Sequence, residues 1–212
     1  MGSNVFGNPI TTKTLEQMPE YIGKKITRTD RAHVAMNMKN AEGKDVKARE
    51  FVEDLKEKWG NGVSTLCVIY NATGDTIRHV GSNDWYGHIG DSPYPSEIAN
   101  GQWGAFLHVK TSGASSGSVA ATVYRGLNEA GQVCDWMLSW YNPWSRLFDD
   151  NQAYTEIREG HHYEEDHWDY IYNILKNKGL SYTDNWNGCI SSVSTGSSTS
   201  PIFEGVMKLV GA

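Results

Sequence analysis

The sequence predicts a β-rich α+β protein: a two-sheet β-sandwich flanked by two α-helices, with an additional helical segment at the N-terminus. Three observations carry this expectation. Residues 45–59 place apolar side chains at three- and four-residue intervals along an otherwise charged stretch. From Val63 the period changes to two, and it recurs in most segments as far as residue 158. At residues 164–176 the helical period returns. A helix buries one stripe and a sheet one face, so a sandwich with a helix against each sheet covers all of them economically.

Residues 1–44 read as an N-terminal helical extension, and 45–212 as a single compact domain. Pro9 and Pro19 interrupt the extension, a short helix is expected over 29–39, and the Gly43 region ends it. In the 45–59 helix Ala48, Phe51, Val52, Leu55 and Trp59 form the stripe, with Asp45 as cap and Gly60 with Asn61-Gly62 as stop. Segments 63–70 and 76–80 predict a hairpin turning at Asn71–Asp75. Residues 84–100, rich in Gly and Pro, read as a long loop or irregular strand. Trp103, Ala105, Leu107 and Val109 share one face of a strand over 102–110, and Val119, Ala121 and Val123 repeat the pattern. Cys134, Trp136, Leu138 and Trp140 share a face of the next strand, and a short one follows over 154–158. Trp168, Ile171, Tyr172 and Leu175 form the stripe of the 164–176 helix, which acids open, lysines close and Gly179 stops. The Ser/Thr-rich tail predicts two more strands, 188–194 and 202–210.

A formal net charge of -6 argues against nucleic acid as a partner and against simple attraction to anionic lipid. Any membrane contact is therefore expected to be peripheral and to rest on rings and hydrogen bonds. No apolar run is long enough to form a transmembrane segment, and the N-terminus lacks a signal-peptide core. Gly2 fits a myristoylation motif poorly, because Phe6 stands where Ser or Thr is required. These features point to a cytoplasmic protein. Cys67, Cys134 and Cys189, odd in number and widely spaced, predict free thiols in a reducing compartment. The Asn71-Ala72-Thr73 sequon is expected to carry no glycan.

No metal and no cofactor is expected. Among His161–His167, His162 and Asp166 lie four apart, but the His-Glu-x-x-His pattern is missing, and the stretch reads as a solvated helix start. There is no Cys-x-x-Cys pair, Gly-x-Ser-x-Gly elbow or phosphate-cradling glycine motif. Carboxylates adjacent in sequence, as in Asp149-Asp150, do not flank a substrate. The most enzyme-like loop is Asp84-Trp85-Tyr86-Gly87-His88; were the protein an enzyme, Asp84 and His88 would be its acid and base. The stronger signal is aromatic. Trp140, Tyr141, Trp144 and Phe148 surround Pro143 in a stretch expected at the surface, where large rings either mark a binding site or close one end of the sandwich. Trp168 and Tyr172, four apart, share a helical face. With Ser139 and Trp144 they are expected to line a concave site for a small amphipathic ligand.

The stretches Ser3-Asn-Val-Phe-Gly-Asn-Pro9, Ala41-Glu-Gly-Lys-Asp45, Asn71-Ala-Thr-Gly-Asp75, Trp85-Tyr-Gly-His-Ile-Gly90 and Asn100-Gly-Gln-Trp-Gly-Ala-Phe-Leu-His108 resemble the plant 23 kDa jasmonate-induced protein family over essentially the whole chain. That resemblance implies a stress- and defence-induced plant protein and brings no established molecular activity. A more distant resemblance concerns element order over roughly residues 46–210: an amphipathic helix, an Asn-x-Thr-Gly turn, a Gly-Ser-Val-Ala strand, a Met-Leu-Ser strand end, an aromatic loop with Pro, and a helix with spaced aromatics. This order is similar to the actinoporin-like group of membrane-binding cytolysins. It implies a phosphocholine headgroup site at Thr73, Ser139, Pro143, Trp168 and Tyr172, the Thr73 match needing a substitution and the Pro143 match a small insertion. A ring cage suits a quaternary ammonium by cation–π attraction, and equally a sugar face or a flat metabolite. The departures argue against pore formation: some forty residues precede Asp45, the 45–59 helix is densely charged, and the chain is acidic. The expected partner is thus a lipid headgroup, a glycan or another small amphipathic ligand. The alternatives are an enzyme of specialised metabolism using the same pocket and a stress or storage protein without a ligand.

Overall fold

The computed structural model describes residues 4–147 and 149–212. Phe148, a ring of the aromatic loop, lies outside the described residues, as does Gly2. In chain order the elements are β1 (Val5–Phe6), α1 (Thr12–Glu16), α2 (Arg28–Asn37), α3 (Lys44–Trp59), β2 (Ser64–Ala72), β3 (Ile77–Tyr86), β4 (His88–Ile89), β5 (Glu97–Ile98), β6 (Trp103–Val109), β7 (Ser118–Leu127), β8 (Val133–Asn142), β9 (Gln152–Glu159), α4 (Trp168–Leu175), β10 (Ser181–Trp186), β11 (Cys189–Thr195) and β12 (Ile202–Leu209). One sheet runs β1-β6-β2-β12-β11-β10, with β4 also on β6, and the other runs β5-β3-β7-β8-β9. The expected sandwich with helices on both sides is what the chain forms.

The strand periodicity sorts the layers. Trp136, Leu138 and Trp140 point into the inter-sheet core with Phe106, Tyr124 and Phe203. Each fully buried large side chain contributes about 1.5–3 kcal/mol. Trp103, Ala105, Leu107 and Val109 face the other way and pack under Val34, Ala35, Ala48 and Val52 of α2 and α3. Val119, Ala121, Val123, Met137 and Tyr141 cover the outer face of the second sheet and meet Ile171 and Leu175 of α4. The sandwich is tied along one side where Asp184 of β10 accepts a hydrogen bond from the Ile157 amide of β9 at 2.8 Å.

Four details differ from the sequence reading. Asp45 does not cap α3: Gly43, in a left-handed conformation, occupies the cap position, and Asp45 sits in the first turn, where its charge suits the helix dipole. The segments before and after Asn71–Asp75 are not a hairpin. Both edges of β2 are already taken, by β6 and, in parallel, by β12, so the chain crosses to the other sheet. The Asn71 side chain holds that crossing, donating to Asp75 O at 2.7 Å and Ile98 O at 2.8 Å while accepting from the Thr73 amide at 2.9 Å. This asparagine is fully buried, so a glycan has no place on it. Third, the 84–100 stretch, read as a long loop or an irregular strand, is partly strand: β3 runs on to Tyr86, and β4 and β5 follow within it. Fourth, α4 begins at Trp168, after a 3-10 turn over His162–Glu164, and β10 was not anticipated.

Cys67, Cys134 and Cys189 are all buried free thiols. Titration of the unfolded, unreduced protein should count three; a count of one would reveal a disulfide.

Candidate functional site

At one end of the second sheet three elements bring aromatic side chains together. β3 ends at Trp85 and Tyr86. Gly87 then turns the chain towards β4 with φ +90°, and a Cβ there would lie 2.3 Å from the Val109 carbonyl, so only glycine lets the chain cross between sheets at this point. β8 pairs so that Tyr141 lies opposite Val119, beside the end of β3. α4 then lays Trp168 and Tyr172 across both strand ends. The Trp85 ring lies 6.2 Å from Trp168 and 5.5 Å from Tyr172; Tyr172 also neighbours Tyr86 at 6.4 Å and Tyr141 at 6.2 Å. Tyr163 stacks behind Trp168 at 5.9 Å. Tyr86 is exposed, while Trp85, Trp168 and Tyr172 are half-buried, so the cluster has an open side. Burial, reinforced by the Tyr86 hydroxyl, raises the Tyr172 phenol, and burial with Asp149 raises that of Tyr141; both rings are therefore neutral near pH 7.

Next to these rings is a shallow cavity of about 570 Å³ between Asn83–Trp85 and the segment leading into α4. Its walls are Trp85, Tyr163 and Trp168, and its rim carries Asp84, Glu164, Glu165, Asp166 and Asp169, with no lysine or arginine in the lining. Such a wall favours a positively charged or neutral group and repels an anion.

Asp84 also heads a chain of buried groups. Its carboxylate accepts from His108 Nε2 at 3.2 Å, which leaves Nδ1 to accept from the Ser118 hydroxyl at 2.8 Å; Thr65 lies 2.8 Å from the same hydroxyl. The residue types are those of a Ser-His-Asp triad, but Ser118 and His108 are fully buried between the sheets, and a nucleophile needs open space beside it for a substrate carbonyl. What the chain of bonds does here is orient the Asp84 carboxylate at the cavity. Burial holds the His108 pKa below its ordinary 6.5, partly opposed by Asp84. Below pH 6.5 the unfolded chain therefore binds a proton that the folded one resists, and stability falls as the pH drops, by up to about 1.4 kcal/mol per pH unit for this histidine. His79, whose pKa burial also lowers, acts in the same direction. Thermal melts at pH 5 and pH 7 should show the loss, and His108→Gln should reduce it; an unchanged pH slope in that variant would place the effect elsewhere.

Of the residues singled out in the sequence, Tyr141, Trp168 and Tyr172 come together. Ser139 lies fully buried on the same face of β8, its hydroxyl donating to Tyr154 O at 2.9 Å. Trp140 points the opposite way, 1% exposed, among Phe106, His108 and Phe203 in the inter-sheet core. Strand alternation makes that inevitable once Tyr141 faces α4, so Trp140 cannot wall the surface site. Thr73 sits before the start of β3, whereas the rings are at its end, ten residues or about 30 Å away; its hydroxyl is spent on Asn71 and Asp75. Pro143 is buried, and Trp144, about half exposed, leans over the Lys110 ammonium at 4.8 Å rather than towards α4. Asp84 meets His108, not His88, which is exposed and bonds locally to Ile89 O. Trp85, Tyr86 and His108 were not assigned to the binding site. For the first two the signal was present, as adjacent rings in a loop already noted. For His108 it was the strand phase, which puts it on the same face as Phe106.

Residues 6–210 match the family described as Nakanori-like protein. The chain belongs to the Nakanori-like family. The solved structure of the lipid binding protein Nakanori superposes on this member with a TM-score of 0.88 at 32% identity, covering 96% of this chain and 99% of that one. The 23 kDa jasmonate-induced protein of Hordeum vulgare is 48% identical over 211 residues, 98% of this chain and 99% of its own. A jasmonate-induced protein homolog of Atriplex canescens is 30% identical over 110 residues, 49% of this chain and 58% of its own. The resemblance to jasmonate-induced proteins thus extends over the whole of this Nakanori-like chain. Among the described residues no helix is long and apolar enough to cross a membrane.

Proposed function

We propose that this protein is a stress-induced peripheral lipid-binding protein that takes a headgroup bearing an organic ammonium at the cluster of Trp85, Tyr86, Tyr141, Trp168 and Tyr172. The observation that carries the reading is this open aromatic cluster with an acid-only rim, in a chain alike over nearly its full length to a protein whose structure is described as lipid binding. The rings supply cation–π and stacking contacts, and the carboxylates select positive charge. Exposed Trp144 and Leu147 in the loop that follows β8 provide apolar surface for the interfacial region of a bilayer. Binding of this kind leaves the chain outside the hydrocarbon core and requires no pore.

Sedimentation with vesicles tests the reading. Phosphatidylcholine vesicles should carry the protein down, and pure phosphatidylglycerol vesicles should not. Equal binding to both would refute selection of the ammonium. Binding to neither, with retention on a glycan array instead, would replace the lipid by a sugar.

A further inference from the structure

We propose that the outer face of the second sheet carries a second binding site, distinct from the aromatic cluster, for a small amphipathic carboxylic acid. α4 covers this face as far as Val123 and Met137. Beyond them lies an open cavity of about 390 Å³ on β3, β7 and β8, within the size range of small-molecule sites. Arg78 and Arg125 cross it, and Val80, Leu127 and Val133 supply its apolar surface. Val80 is 43% and Val133 46% exposed, so the hollow gathers aliphatic side chains that stay in contact with water, as a ligand groove does. Strand pairing fixes the arrangement: Leu127 lies directly opposite Val133, and Arg125 opposite Asp135 is the next pair along the same face.

The charge pattern selects the ligand. Directly opposite residues form a row across the second sheet: Glu97 on β5, Arg78 on β3, Arg125 on β7, Asp135 on β8 and Arg158 on β9. Acid and base alternate along this row except at its centre, where the two arginines face each other. Like charges directly opposite on a sheet are destabilising, so an anion seated over this seam is drawn by both. Each arginine has its acid on the side away from the seam. Arg78 Nε donates to Glu97 at 2.8 Å, and Arg125 donates to Asp135 from Nε and Nη2. Arg125 also meets His161 and Glu164 at the edge towards α4. Among the described residues Arg78 hydrogen-bonds through Nε alone, which leaves both terminal nitrogens for a carboxylate. Asp75, the acid that lines the cavity, is held by α2: Arg31 donates to it at 2.8 Å and Arg28 lies 3.8 Å away. A carboxylate on Arg78 over the seam places an attached hydrocarbon chain on Leu127 and Val133. An ammonium would meet two guanidinium groups there, so this site and the acid-rimmed aromatic one prefer opposite charges.

The test titrates isotope-labelled full-length protein with octanoate and follows the backbone amide signals by NMR. Octanoate should shift the amides of Arg78, Val80, Leu127 and Val133 to saturation, with an affinity about tenfold or more above that of octylammonium, octanol or acetate. Arg78→Gln should weaken octanoate about tenfold, through loss of a charge-assisted contact. The Arg78 side chain is 65% exposed, so the fold tolerates this change, whereas Arg125 also holds Asp135 and is left intact. Acetate binding as tightly as octanoate would overturn the apolar part of the site, and octylammonium or octanol binding as tightly would overturn the part given to the arginines. Absence of saturable shifts, shifts centred on Trp85, Trp168 and Tyr172, or full octanoate affinity in Arg78→Gln would each overturn the site itself. The titration contains no vesicles, so its result stands whether or not the protein sediments with phosphatidylcholine.

Discussion

Replacing Trp168 and Tyr172 together with alanine should weaken binding to phosphatidylcholine vesicles about a hundredfold while leaving a folded protein. Each ring supplies roughly 1–2 kcal/mol of cation–π or stacking attraction when the partner is desolvated, and about 1.4 kcal/mol is a factor of ten in affinity. Both side chains remain half-exposed at the rim of the core formed by Ile171, Leu175 and Tyr141, so their truncation removes less packing than that of a wholly buried ring. Trp140→Ala is the counter-case. That ring is 1% exposed between the sheets, and its removal should cost about 3–5 kcal/mol while the folded fraction binds as before. Vesicle titration and thermal melts on both variants separate the two outcomes. Unchanged affinity in the Trp168/Tyr172 variant would reassign those rings to packing and remove the site.

Arg125→Leu should destabilise the protein by about 3–5 kcal/mol, more than any exposed charge substitution. Arg125 on β7 grips the Asp135 carboxylate of β8 with two bonds, at 2.7 Å and 2.9 Å, and Asp135 is fully buried. Once the guanidinium is gone, the carboxylate keeps, among the described residues, the His161 amide at 2.8 Å, and an uncompensated buried charge is what makes such losses large. The same ion pair secures the connection from β9 to α4, so the variant should also loosen the aromatic cluster. Glu164, 62% exposed, meets the other edge of Arg125 at 3.2 Å, and Glu164→Gln should change stability little, because solvent screens that contact. Chemical denaturation of the two variants checks the contrast; equal, small losses would mean that Asp135 is solvated or otherwise paired.

The fold was largely readable where the signal is local. The stripe of α3, the alternation of Trp103–Val109 and the phase of Cys134–Trp140 are written in side-chain spacing, and each was recovered on its expected face. The errors came where the answer depends on partners far along the chain. β2 looks like the first arm of a hairpin until β12 arrives from the C-terminus and pairs with it in parallel. Thr73 follows a β2 that ends near one corner of the molecule, and only the route of β3 shows that the rings belong to another.

The aromatic site divides in the same way. That Trp168 and Tyr172 share a face, and that rings cluster beyond Ser139, follows from the spacing of residues along one helix and one strand. Which face meets α4 follows from packing: the alternation that brings Tyr141 to the surface sends Trp140 inward, and a single strand carries no mark of which phase is which. The Trp85 and Tyr86 walls and the Asp84–His108 pair join residues separated by tens of positions, and their proximity is created only when strands and helices find their partners. Periodicity is a property of neighbours in the chain, and it was enough for most of the elements and for the kind of side chain at the site. Proximity is a property of the packed core, and it decided which of those side chains form the site.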